Sequence, residues 1–233
     1  SLALFGVVLT YYSSLHVLGD VSEALNVTQL LPVADRLNPP VLKLAFIFIL
    51  VGYGTKVGLV PMHSWLPDAY TEAPAPVAAM LAGVLEIVAV YAILRMRMIV
   101  DHALSPAFTG GLLTLLGFAS FVTAAFFILI QHNYKRLFAY SSIAHAGYVL
   151  VAITTMSANL VFSIWFYLLA YMLMNLGAFA IIQVVTEKSG STKIADFAGL
   201  YRRSPVLAVL MGILLVSLAG FPGTAGFIGK LNI

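Results

Sequence analysis

Four ionisable residues stand inside or at the edge of long apolar runs: Lys56, Glu86, His145 and Lys230. Glu86 is the clearest case, because VAAMLAGVLEIVAVYAIL, residues 77–94, is apolar from end to end apart from it. As a helix this stretch is about 27 Å long, with Glu86 close to its middle. An ionisable side chain at bilayer depth costs several kcal/mol, so such groups usually face the interior of a bundle and act there. A carboxylate, two amines and an imidazole are the parts of a proton relay. Burial disfavours the charged form of each group and a nearby opposite charge favours it, so a partner that moves a few ångströms can change the protonation state.

Each residue also has a structural reading. Lys56, about fifteen residues into its apolar run, can snorkel to an interface. Glu86 can be one half of a static ion pair. His145 can be a neutral ring satisfied by neighbouring hydroxyls. Lys230 lies too near Ile233 for the sequence to set its depth. Context favours chemistry at His145, because Ser141, Ser142, His145 and Tyr148 recur at three- and four-residue spacing and share a helix face. Tyr167, Tyr171 and Asn175 form a second polar stripe, which interhelical hydrogen bonding explains equally well.

Other chemistries fit poorly. His63, Asp68 and Glu72 match no metal-site spacing. The glycines of GYGTKVG, residues 52–58, lack the strand and the pattern of a nucleotide loop. With no cysteine in 233 residues, the chain offers no disulfide, thiolate iron–sulfur ligand or haem attachment.

The elements that must position these groups are transmembrane helices. The chain is 61% hydrophobic and 9% charged, against about 25% charged in a soluble domain. Its mean hydropathy is +1.01. We read seven spans, roughly 1–17, 41–60, 76–97, 107–130, 137–157, 160–186 and 204–233, forming an all-α polytopic bundle and one transmembrane domain over 1–233. A polar connection with Asp20, Glu23, Asp35 and Arg36 follows the first span, and VSEALNVTQLL within it reads as a short surface helix. The linker 187–204 is the next long polar stretch.

The net charge of +3 does not indicate nucleic acid, because the basic residues mostly flank apolar runs. Lys135, Arg136, Lys188, Lys193, Arg202 and Arg203 fall on one side, and Arg36, Lys43, Arg95 and Arg97 on the other. That six-to-four excess assigns the first side to the cytoplasm. Spans two and seven read as broken, the former by Pro61, Pro67, Pro74 and Pro76, the latter by Gly220, Pro222, Gly223 and Gly226. Non-helical backbone at membrane depth is tolerated where it is buried in protein or lines a water-filled cavity, and in transporters such breaks mark ion or substrate sites. The chain begins within an apolar run and stops three residues past Lys230, so we expect an internal piece of a longer protein.

GTKVGLVPMHSWLPDAYTEAPAPVAAMLAG, NYKRLFAYSSIAHAGYVL, YLLAYMLMNLGAFAI and SLAGFPGTAGFIGKL together resemble the antiporter-like membrane subunits of respiratory complex I. The last three are most similar to its subunit N. The first also resembles subunit M and the related subunits of membrane-bound group 4 hydrogenases. The resemblance implies a fourteen-helix fold with two inverted five-helix repeats, each holding a broken helix, of which this chain looks like helices six to twelve. It implies proton translocation without a bound cofactor, in the bacterial inner membrane, beside other membrane subunits of a redox-driven translocase such as NADH-quinone oxidoreductase. Carried over residue by residue, Lys56, His145 and Lys230 match the family's relay positions. Glu86 departs, standing where subunit N has a lysine; with subunit M spacing the position is Ile87 instead. We expect Glu86 to keep the central station with its sign reversed, with Lys56 as its candidate partner. The family usually pairs the Lys56 position with a glutamate on a helix that precedes this chain. A sodium/proton antiporter subunit and a structural subunit without pumping are the competing expectations.

Overall fold

The sequence places a capping side chain and a proline where several helices start, and the chain folds accordingly. The computed structural model describes residues 2–19, 24–155 and 158–233. Helix α1 is Leu2–Leu18 and α2 is Pro39–Val57, the latter opened by Asn38, whose side chain accepts from the Val41 amide, with Pro39 and Pro40 in the first turn. A short helix α3, Trp65–Glu72, precedes the long α4, Ala75–Ala103, which has a wider π-turn at Leu81–Leu85. Helix α5, Pro106–Ile128, is capped by Ser105, and α6, Tyr134–Ile153, by Asn133. Then come α7, Ala158–Ser189, α8, Pro205–Ala219, and α9, Ala225–Asn232.

Five helical stretches among the described residues are long and apolar enough to cross a membrane, namely α2, α4, α5, α6 and residues Leu160–Ser189 of α7. Helices α1 and α8 are shorter apolar helices. The seven expected spans therefore all correspond to helices, with the seventh divided between α8 and α9. Span three runs further than its expected end at residue 97, to Ala103, because Arg97 is paired inside the helix rather than in a loop. Asp20, Glu23 and Ser1 lie outside the described residues. Of the segment expected to form a short surface helix, residues 21–23 lie outside the described residues; Val27–Leu30 forms a helical turn with Thr28 and Gln29 exposed and Leu30 buried, and a 3-10 turn at Leu31–Arg36 buries Ala34.

Two breaks organise the bundle. Helices α2 and α8 both end on a left-handed glycine, Gly58 at φ 84° and Gly220 at φ 86°, a conformation that side chains with a Cβ resist. After the first break the Trp65 indole donates to the Thr55 carbonyl at 2.6 Å, and the Val60 amide donates to Ser120 Oγ at 2.9 Å. After the second, the Gly226 amide donates to Ser217 Oγ at 3.2 Å, which seats α9 back against the end of α8. Non-helical backbone is thus paired internally, as a bilayer requires.

Helices α5 and α6 approach closely through glycine. A Cβ on Gly117 would lie 2.7 Å from the Gly147 carbonyl oxygen, and one on Gly147 would lie 2.5 Å from that of Gly117. The outward face of α5 presents Leu115, Phe118 and Phe126, an apolar surface suited to lipid or to other membrane helices.

Candidate functional site

Helices α3, α4, α6 and α7 enclose a polar file. Glu86 follows directly on the π-turn of α4 and is only 3% exposed. Its Oε2 atom is buried with no hydrogen-bond partner among the described residues. Ser142 of α6, Tyr70 of α3, and Tyr167 and Tyr171 of α7 are buried as well. Within the π-turn, Gly83 packs on α7, where an added Cβ would lie 3.1 Å from the Met172 side chain.

Ser142 is fully buried and gathers the neighbouring hydroxyls. Tyr70 of α3 donates to its Oγ at 3.4 Å, and Tyr171 of α7 shares a hydrogen bond of 2.6 Å with it in which either oxygen can donate. One turn along α6, His145 is buried with Nδ1 hydrogen-bonded to the Tyr167 hydroxyl. The His145 ring packs on Tyr171 with centroids 4.7 Å apart. Further along the same face, the Tyr148 hydroxyl donates to the Lys230 carbonyl at 2.8 Å. Asn175 completes the stripe on α7, donating to the Tyr171 carbonyl at 2.9 Å while its Oδ1 stays unpaired.

Lys230 sits at the second break. Its ammonium donates to the Leu218 carbonyl at 2.6 Å and approaches that of Ala219 at 3.4 Å, the last carbonyls of α8. These carbonyls carry the negative end of the helix dipole and have no partner within the helix, so a cation is well placed there. A cavity of about 160 Å³ lies beside it, lined by Phe121, Ala144, His145, Tyr148, Tyr167 and Lys230. Its lining is mostly apolar, with His145, Tyr148, Tyr167 and Lys230 supplying the polar atoms.

The structure therefore brings Glu86, His145 and Lys230 into one file of hydroxyls and rings. It does not bring Lys56 to them. Lys56 is exposed in the last turn of α2 and pairs with no described residue, so the expected Glu86–Lys56 contact is absent. The ion pairs among the described residues are Arg97–Asp101 at 2.9 Å and Arg136–Asp68 at 3.2 Å. His63, Asp68 and Glu72 do not converge, and no group of three or more His, Asp or Glu among the described residues is arranged to hold a metal.

Two features escaped the reading of the sequence. Tyr70 lies between prolines in a stretch that reads as a connection, yet it is 1% exposed and reaches Ser142. Arg97 reads as a loop anchor, yet it is 1% exposed and donates to Asp101, to Thr109 and to the Ile153 and Thr154 carbonyls at the end of α6. The four-residue spacing of Arg97 and Asp101 was the available signal.

Comparison with known proteins agrees with this architecture. The family described as NADH:quinone oxidoreductase/Mrp antiporter, TM matches residues 2–233. A NADH-quinone oxidoreductase subunit N from Geobacillus sp. (strain WCH70) is 49% identical over 203 residues, covering 83% of this chain and 41% of that protein. A hydrogenase-4 component F homolog from Methylacidiphilum infernorum (isolate V4) is 39% identical over 236 residues, covering 100% of this chain and 49% of that one. A chain of the membrane-bound sulfane sulfur reductase, an archaeal respiratory membrane complex, superposes with a TM-score of 0.88 at 28% identity, covering 99% of this chain and 46% of its own length. The chain spans less than half the length of these relatives. It is a multi-pass membrane protein, and it belongs to the NADH:quinone oxidoreductase/Mrp antiporter transmembrane family.

Proposed function

We propose that this chain carries protons across the bacterial inner membrane as a cofactor-free part of a redox-driven complex of the NADH-quinone oxidoreductase or group 4 hydrogenase type. Electron transfer takes place in other subunits, and the partners of this chain are neighbouring membrane subunits and the bilayer. One observation carries the reading: a buried carboxylate with an unpaired oxygen, Glu86, opens a file of hydroxyl groups and a histidine that runs to a lysine at a helix break. An uncompensated carboxylate at this depth is costly, and a purely structural role offers no return for it.

Glu86 is the central station of the path, His145 hands protons along α6, and Lys230 is the station at the second break. The Tyr171–His145 step has a ring contact but no direct hydrogen bond, so a water is needed there. Lys56 serves the entry side, held by a carboxylate from outside this chain. The excess of basic residues places the loops with Lys135, Lys188 and Arg203 on the cytoplasmic side.

The test is Glu86→Gln in the intact complex reconstituted into liposomes, with protons moved per electron as the readout. Electron transfer and assembly should persist while translocation falls by about tenfold or more, as expected when a charged relay member is removed. Unchanged proton stoichiometry in the variant would sink the proposal. The family also contains Mrp antiporters, so sodium dependence of transport is the discriminating control: transport that requires sodium and no redox partner assigns the antiporter function instead.

A further inference from the structure

We propose that Lys135 is a positioning residue for the proton path: its ammonium holds the end of α3 and thereby keeps the Tyr70 hydroxyl on Ser142. This rests on the proton-translocating reading above and adds to it a residue that stands outside the file.

Lys135 lies in the first turn of α6 and is 8% exposed, a rare place for a lysine unless something accepts from its amine. Two backbone carbonyls accept here: Nζ donates to that of Ala73 at 2.7 Å and to that of Thr71 at 3.4 Å. Both belong to the end of α3, where carbonyls lack partners within the helix and carry the negative end of its dipole. Pro74 and Pro76 follow and have no N–H to offer them. Glu72 lies between the two acceptors in sequence. The ion pairs among the described residues are nevertheless Arg97–Asp101 and Arg136–Asp68, so Lys135 is held on carbonyls and not by a carboxylate.

The lysine has a firm base. The Asn133 side chain accepts from its amide at 2.8 Å. Around that cap the chain is tied to the linker after α7: the Tyr134 amide donates to the Thr192 carbonyl at 3.0 Å, and the Ile194 amide donates to that of His132 at 2.9 Å. The neighbouring Arg136 also reaches α3, at Asp68, but both side chains are exposed and such a pair contributes little. The buried ammonium is the stronger of the two ties.

What it positions is Tyr70, one residue before Thr71. Tyr70 is 1% exposed and packs its ring on Phe179 of α7 with centroids 5.8 Å apart. Its hydroxyl donates to Ser142 Oγ at 3.4 Å, long for an O–H···O bond, so a displacement of α3 by a few tenths of an ångström decides whether that bond is made. Ser142 shares the 2.6 Å bond with Tyr171, whose ring packs on His145. With one lone pair taken by Tyr70, the serine hydroxyl is restrained from turning away from Tyr171. No proton passes through Lys135; it sets where α3 ends.

The experiment uses the intact complex in liposomes, with protons moved per electron as the readout. Tyr70→Phe keeps the ring and should lower translocation about fivefold, the worth of one neutral hydrogen bond. Lys135→Met keeps the stem and should match that loss, because it acts through the same hydroxyl. The double variant should fall no lower than either single one. Lys135→Arg, which returns a cationic donor to the two carbonyls, should recover translocation. A lysine with a separate structural role would give a double variant lowered about twenty-five-fold, the product of two independent losses. That result, parental translocation in Lys135→Met or Tyr70→Phe, or no recovery in Lys135→Arg overturns the inference. Should Lys135→Met fail to assemble, Lys135→Gln, which leaves a neutral donor at the carbonyls, takes its place in the same cycle. If Glu86→Gln is defective while the Lys135 and Tyr70 variants are normal, the inference fails and the functional reading stands; if Glu86→Gln is normal, the functional reading fails first.

Discussion

Replacing Arg97 by methionine isolates the contribution of a buried charge that joins three helices. The side chain is 1% exposed, so methionine keeps much of the packed stem and removes the guanidinium. Nε is 2.9 Å from Asp101 Oδ2, Nη2 donates to the Thr154 carbonyl at 2.9 Å, and Nη1 donates to the Ile153 carbonyl. Loss of one member of a buried ion pair costs about 3–5 kcal/mol, because the other charge is stranded. The Asp101 side chain is 12% exposed and still accepts from Thr109, which places the cost near the lower end, about 3 kcal/mol. A second substitution, Asp101→Leu, removes the stranded charge. The double variant should recover all but about 1–2 kcal/mol, which belongs to the two α6 carbonyls left without their donor. The assay is detergent-titrated unfolding of the full-length protein in mixed micelles, followed by circular dichroism. If the single variant loses under about 1 kcal/mol, Arg97 behaves as an exposed pair would and the assigned burial is wrong. If single and double variants lose equally, the cost is packing and not charge.

Two further outcomes follow from close backbone approach. Gly117→Ala places a methyl 2.7 Å from the Gly147 carbonyl oxygen, so α5 must move off α6, and the same unfolding assay should show a loss of about 1–3 kcal/mol. An unchanged midpoint would mean that the two helices slide apart freely. Gly226→Ala meets the Ser217 carbonyl oxygen at 1.8 Å, a distance no relaxation of a side chain can relieve. It should unseat α9 and abolish translocation while Lys230 itself is untouched, measured as protons per electron; normal translocation would separate the seating of α9 from the relay.

The helices were legible because apolar runs and their caps are local signals. The spans read from 41, 107 and 137 begin within three residues of the helices that start at Pro39, Pro106 and Tyr134. The breaks were legible for the same reason, since the prolines from Pro61 to Pro76 and the run from Gly220 to Gly226 announce them in the sequence, whereas the left-handed Gly58 that ends α2 was not singled out. What was not legible depends on partners distant along the chain. The π-turn before Glu86 has no sequence signature of its own and lies where Gly83 meets α7. Tyr70 finds its role only because α3 folds back against α6, 72 residues further along. The expected Glu86–Lys56 contact failed because a shared charge logic says nothing of geometry: Glu86 is buried in α4, and Lys56 is exposed at the end of α2. Glu86 as a polar station in an apolar run was readable from its position alone, whereas its neighbours had to come from the fold.

The lysine at the second break has a mechanical side. Lys230 belongs to α9, yet its ammonium closes the open end of α8, so one covalent segment terminates another through a charge. That nitrogen adds a charged tie at the carbonyls of Leu218 and Ala219 to the Gly226–Ser217 bond that seats α9. A neutral amine would hold them more weakly, having lost its attraction to the helix dipole, and the two halves would then swing more freely about Gly220. Charge and hinge stiffness are therefore one variable at this position: whatever removes the proton also loosens the elbow that carries it.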